Sequence, residues 1–239
     1  MKKLLMLSLL AAAGGSQAIE LYSNGPVVGT GGISILTAPN TSYGAGSTAT
    51  QLIADSFAFT GASWKVSSLD FFAYQTAAVG FTFTTATWAI RSGTDINSSS
   101  IVASGTTPVT NGGLEGYRVL STALTLQNRA IYRINADIPD ITLAAGSYFV
   151  TWGLAGTSTS GPFVPPVQGT LGSGNAQFSS TGGAAWNPLT DGGSLLSYDV
   201  PFAVQGTVVV VPEPATVGLM LVGGLAVVGL ARRRRQAAA

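Results

Sequence analysis

The sequence predicts an all-β fold: an antiparallel β-sandwich of jelly-roll type, flanked by an N-terminal signal helix and a C-terminal transmembrane helix. Three observations predict it. Runs of alternating or β-branched and aromatic residues recur along the central two hundred residues. They are separated by clusters of Gly, Ser, Asn, Asp and Pro, which supply turn conformations. No segment of that body carries an apolar stripe at the 3.6-residue helical period, and no fixed repeat period emerges.

The elements follow in order. Lys2 and Lys3 form a positive start, and residues 4–13 are an apolar run too short to span a bilayer. Ser16, Gln17 and Ala18 then place small residues at the −3 and −1 positions of a cleavage site, so signal peptidase is expected to cut between Ala18 and Ile19. Residues 21–49 read as a loose leading strand or loop. Strands are expected at 51–60, 63–75, 80–91, 117–126, 130–138, 146–154 and 200–211. Residues 92–95, 110–113, 144–146 and 191–193 read as turns between strands. The long stretch 156–190, rich in Gly, Pro and Ser, is an irregular connection, and such connections often carry function. Its aromatics Phe163, Phe178 and Trp186 are the candidate ligand-binding residues, as a sugar-stacking face. The alternative is that they plug one end of the sandwich. Trp64, Trp88 and Trp152 fall within strands, where core packing is expected.

Charge narrows the function. The whole chain carries a net charge of +1, but most of its cations lie in the terminal segments. Residues 19–211 keep five basic residues (Lys65, Arg91, Arg118, Arg129 and Arg133) against nine acids, a body of charge −4. Such a surface cannot neutralise phosphates, so no nucleic acid is expected as a partner. With no cysteine, stability must come from core packing rather than disulfides.

Chemistry is narrowed further by the absence of histidine and cysteine, which removes Ser-His-Asp and Cys-His hydrolysis and the usual zinc ligands. Neither a metal nor a cofactor is expected. Paired carboxylates remain: Asp137 and Asp140 flank Ile138-Pro139, and Asp55 and Asp70 are placed near strand ends. A glycosidase needs two carboxyls facing each other across about 5–10 Å. Acids beside turns more often cap strand ends, so no catalytic residue is assigned. Asn40 and Asn97 begin Asn-x-Ser sequons.

The C-terminus is the most specific part of the chain. Val211, Pro212, Glu213 and Pro214 make a rigid, extended approach, because proline fixes its own φ and disfavours helix before it. Residues 215–231 are uncharged and apolar, and as a helix they would span roughly 26 Å, enough for a thin bilayer core. Arg232, Arg233, Arg234 and Arg235 follow and would hold that end in the cytoplasm. This tripartite segment resembles a PEP-CTERM protein-sorting domain. The resemblance implies that an exosortase, a membrane-embedded cysteine transpeptidase-like enzyme of Gram-negative, biofilm-forming bacteria, recognises Pro-Glu-Pro and cuts near it. The body would then pass to the cell surface or extracellular matrix. Residues 55–64, 69–76 and 183–189 also resemble a domain recurrent in such proteins, which bears on fold alone.

The expected organisation is therefore a signal peptide (1–18), an exported β-sandwich (19–211) and a sorting segment (212–239). The expected role is a non-catalytic surface or matrix component, exported through the inner membrane and transiently anchored there, with exopolysaccharide as a possible partner. The alternatives are a carbohydrate-binding module using exposed aromatics such as Trp186, and a carboxylate-dependent glycosidase.

Overall fold

A computed structural model describes residues 17–209. The signal segment up to Ser16, the sorting residues Val211–Pro214, the apolar run and the arginine block lie outside the described residues. Thirteen strands follow one another: β1 (Ile19–Ser23), β2 (Ile33–Leu36), β3 (Ala45–Gly46), β4 (Leu52–Phe59), β5 (Trp64–Ala73), β6 (Phe83–Ser92), β7 (Ser100–Leu120), β8 (Ala130–Leu143), β9 (Gly146–Gly156), β10 (Phe163–Val164), β11 (Gln177–Ser179), β12 (Asn187–Pro188) and β13 (Phe202–Val208). There is no helix among the described residues.

Eleven strands join into one curled sheet, a half-barrel, with the order β1-β13-β5-β8-β7-β6-β9-β4-β11-β12 and β2 alongside β7. All its pairings are antiparallel except β2 with β7. The two halves of the sheet face each other across a common core. Inward residues alternate along β4 as Ile53, Phe57 and Phe59, and along β5 as Leu69, Phe71 and Ala73. Rings from opposite halves meet: Phe71 and Trp152 lie 5.1 Å apart, and Trp152 and Phe202 lie 5.8 Å apart. Trp64 stacks on Phe59 at 3.7 Å, and Trp88 and Trp152 are buried, so these three tryptophans pack as their strand positions predict.

The half-barrel turns at β7. Residues 100–108 of β7 pair with β6, while residues 109–117 pair with β8. The sequence reading placed a turn at 110–113 and started a strand only at 117; both assignments are corrected here. Register shifts at Asn111/Gly113 and Leu114/Gly116 are bulges that carry one strand from one half of the sheet to the other. Gly113 takes a φ of 118°, which a side chain would resist. At Gly116 a Cβ would collide with the backbone of Gly32. Turn-type residues therefore mark a bend within a strand here. Similarly, Pro139 lies inside β8 without breaking it, next to the register shift opposite Val66/Ser68 and beyond the part of β8 that pairs with β7.

The leading segment and the long connection are better ordered than their composition suggests. Residues 21–49 supply most of β1 and all of β2 and β3, and the connection 156–190 supplies β10, which pairs with β3, and β11 and β12, which extend the sheet beyond β4.

Candidate functional site

A cavity of about 580 Å³ opens over the outer face of β4 and β9. Ser56, Ala58, Ser147 and Phe149 come from that sheet face. Thr94 and Asp95 come from the β6–β7 connection, and Asn175 and Gln177 from the start of β11. Each wall is fixed. Arg91 donates from Nε to Ser99 Oγ at 2.7 Å and from a terminal nitrogen to the Ser99 carbonyl at 2.9 Å. Asn97 Nδ2 donates to the Trp186 carbonyl at 3.2 Å, and the Trp186 N–H donates to Asn97 Oδ1 at 3.0 Å. That reciprocal pair pins two sequence-distant loops together. It also shows why Asn97, read from sequence as a sequon, serves the fold.

The three candidate aromatics are not brought together. Trp186 is only 6% exposed and packs with Ala54, Ile96 and Phe149. Phe163 lies against Tyr74, with ring centroids 5.6 Å apart, in a second cluster with Val27 and Ile131. Phe178 packs against the main core. An exposed stacking face including Trp186 is corrected by this placement. Apolar rings in a long connection gain more from burial against the sheet than from water, and the connection folds back over the sheet to provide it.

Of the four singled-out acids, Asp70 and Asp137 lie diagonally on one face of the paired strands β5 and β8, and Asp55 lies on β4. Asp55 and Asp70 are not at strand ends: both sit mid-strand and are buried. Asp70 accepts bonds from Asn135 Nδ2 at 2.8 Å and Gln205 Nε2 at 2.9 Å, with Arg133 at 3.8 Å. Asp137 is exposed, and exposed Asp140 pairs with Lys65 at 2.7 Å. Asp55 shares the inward parity of Ile53 and Phe57. Its Oδ2 accepts Asn24 Nδ2 at 2.7 Å and the Val200 N–H at 2.9 Å, and its Oδ1 accepts the Ser56 N–H at 2.7 Å. Burial pushes this carboxyl up to about 7, and Asp199 adds to the rise, against the opposing pull of those donated bonds.

Asp191 and Arg118 form a second polar centre that the sequence did not single out. Asp191 accepts the backbone N–H groups of Thr41, Ser42, Gly193 and Ser194 at 2.8–3.1 Å. Burial alone would raise its carboxyl, but those N–H groups outweigh it and bring it down to about 2. Arg118, also buried, donates to the Tyr43 and Ser42 carbonyls at 2.8 and 3.1 Å and to Ser34 Oγ at 3.0 Å. The peptide units of Ser42 thus lie between the two charges, and the centre ties residues 41–43 to β7 and to 191–194. The turn residues Asp191-Gly192-Gly193 were the available signal, since Asp followed by Gly-Gly is a ready-made cradle for a carboxylate.

Residues 210–235 match the PEP-CTERM protein-sorting motif. No curated protein matches the chain. The motif implies exosortase-dependent sorting to the cell surface, with export and a membrane-anchored sorting signal. The folded body reaches almost to it. Val209 still donates its backbone N–H to Ser63 O at 2.8 Å, and only Val210 and Val211 separate it from Pro212.

Proposed function

We propose that the chain is the precursor of a non-catalytic surface or matrix protein, with a β-sandwich body of jelly-roll type released from the inner membrane by cleavage near Pro212-Glu213-Pro214. The observation that carries this reading is the sorting motif at 210–235, set directly against the end of β13. The expected N-terminal cut supports it, because β1 begins at Ile19 and pairs that residue with Gly206. The strand order supports the jelly-roll assignment. One layer runs β1-β13-β5-β8 and the other β4-β9-β6-β7, the interleaving of two four-stranded Greek keys. A role without catalysis is supported by the structural bonds that occupy the buried carboxylates of Asp55 and Asp70. Association with exopolysaccharide in a biofilm matrix is the setting in which such a body would act.

Terminal-peptide mass spectrometry on membrane, surface and medium fractions tests the proposal. The expected mature form begins at Ile19 and ends near Val211–Pro214 outside the membrane. Glu213→Ala should leave export intact and hold the precursor in the membrane. Equal release of wild type and Glu213→Ala would overturn the assignment of the cut to this motif. A full-length chain confined to the inner membrane would make the body a tethered domain instead.

A carbohydrate-binding role is the second reading. The cavity beside β4 and β9 favours it in place of an aromatic platform on Trp186.

A further inference from the structure

The cavity over β4 and β9 has the chemistry of a particular ligand class. Its volume of about 580 Å³ falls within the usual range of small-ligand sites, about 300–1,000 Å³. Its polar groups are almost all uncharged. The hydroxyls of Thr94 and Ser147, the Nδ2 of Asn175 and the Oε1 of Gln177 make no hydrogen bond among the described residues, although each belongs to a lining residue. Both donors and acceptors are thus presented unspent. Beneath them lie apolar surfaces from Ala58, Tyr148 and Phe149. One carboxylate, Asp95, lines the rim and no cation does, so phosphates and uronic acids have no counter-charge there.

An extended peptide is the competing occupant, since the cavity wraps past β4 where β11 no longer pairs with it. Strand addition needs a free ladder of N–H and C=O groups. At Ser56 the donor of that ladder is taken: its N–H donates to Asp55 Oδ1 at 2.7 Å, while the Tyr22 hydroxyl, which donates to Asn24 Oδ1 at 2.9 Å, crowds the Ser56 carbonyl at 3.4 Å. Peptide recognition loses a main-chain donor at this point.

We propose that this cavity binds a short segment of a neutral oligosaccharide, its hydroxyls meeting Thr94, Ser147, Asn175 and Gln177 and its C–H faces resting on the apolar floor. The walls are pre-organised by the Asn97–Trp186 pair and by Gln177 Nε2 donating to the Asn175 carbonyl at 3.0 Å, so little ordering entropy is spent on binding. Trp186 is then a positioning residue that holds a wall without touching the sugar. The inference rests on the surface-body reading for its setting, and deepens the carbohydrate-binding reading.

Titration calorimetry on the full chain in detergent tests it with maltohexaose, cellohexaose and laminarihexaose as neutral probes. Polygalacturonate and a Ser/Thr-rich peptide serve as competing classes. At least one neutral glycan should bind, and Asn175→Ala or Gln177→Ala should each weaken it about five- to tenfold, as expected for losing a hydrogen bond. Asp140→Asn, away from the cavity, should leave affinity unchanged. Thermal melts of each variant separate lost binding from lost folding, and the Thr94→Ala plus Ser147→Ala pair, exposed on the surface, provides a second variant should Gln177→Ala disturb β11. Three results would overturn the proposal: no neutral glycan binding to the folded chain, binding unaffected by all cavity variants, or binding of polygalacturonate or the peptide alone. Mass spectrometry of the termini reports on sorting independently, so a released protein that ignores glycans would sink the cavity assignment while leaving the surface reading intact.

Discussion

Asp55 and Asp191 are both buried carboxylates, 1% and 2% exposed, yet the fold moves them in opposite directions. Asp191 sits where two turns converge and meets four backbone N–H groups, with the Arg118 guanidinium beyond Ser42. Asp55 sits inside a strand, receives two N–H groups and one side-chain amide, and has the like charge of Asp199 nearby. Loops can wrap several N–H groups around an anion, whereas a strand commits most of its own to the ladder and here turns only that of Ser56 to the carboxylate. At the turns the donated N–H groups therefore outweigh burial and secure the charge, whereas in the strand burial prevails.

The largest expected effect comes from breaking the secured side. Asp191→Ala strands four N–H donors and leaves Arg118 buried without its nearest negative charge, which should cost about 3–5 kcal/mol of stability. Urea denaturation measures this, and a loss below about 1 kcal/mol would show that the turns hold without their carboxylate. The same group sets an acid limit. Its pKa of about 2 in the fold lies below the ordinary value, so its contribution is complete above about pH 4. About 2 kcal/mol of that contribution is lost as pH falls from 4 towards 2.

Asp55 should behave in reverse. Between about pH 4 and 7 the folded chain keeps a proton that the unfolded chain has released, so stability falls as pH rises through that window, by up to about 4 kcal/mol. Asp55→Asn removes the titration but keeps only one of the two acceptor oxygens, so its NH2 faces either the Ser56 N–H or the Val200 and Asn24 donors. Its stability should be flat across the window, lowered uniformly by the lost acceptor. A variant whose stability still falls between pH 4 and 7 as wild type's does would mean that another group carries the titration. The smallest effect belongs to an acid outside both environments: Asp140, half-exposed, pairs with an equally exposed Lys65. Lys65→Ala should change stability by less than about 0.5 kcal/mol, and less again at high salt.

Legibility in the sequence followed the range of the interactions. The alternation of Ile53, Phe57 and Phe59, or of Leu69, Phe71 and Ala73, needs only neighbouring residues, and it placed β4 and β5 almost to the residue. Residues 100–116 were missed because their alternation is between half-exposed and exposed small residues, with Asn111-Gly112-Gly113 imitating a turn. Phe163, Phe178 and Trp186 were rightly noticed as unusual in a Gly/Ser-rich connection. Their separation into three clusters depends on partners such as Tyr74 and Ile96, far off in the chain.

By itself the sequence determined that the body is all-β, that it carries no histidine or cysteine chemistry, and that its C-terminus is a sorting motif. These are properties of local pattern and composition, complete within a few consecutive residues. Tertiary structure alone decided which acids are buried, which way their pKa values move, and that the β6–β7 connection and the start of β11 wall a cavity beside β4. Asn97 and Trp186, or Asp55 and Val200, become neighbours only when strands far apart in sequence pair, and a carboxylate's solvation is set by whatever chain arrives to surround it.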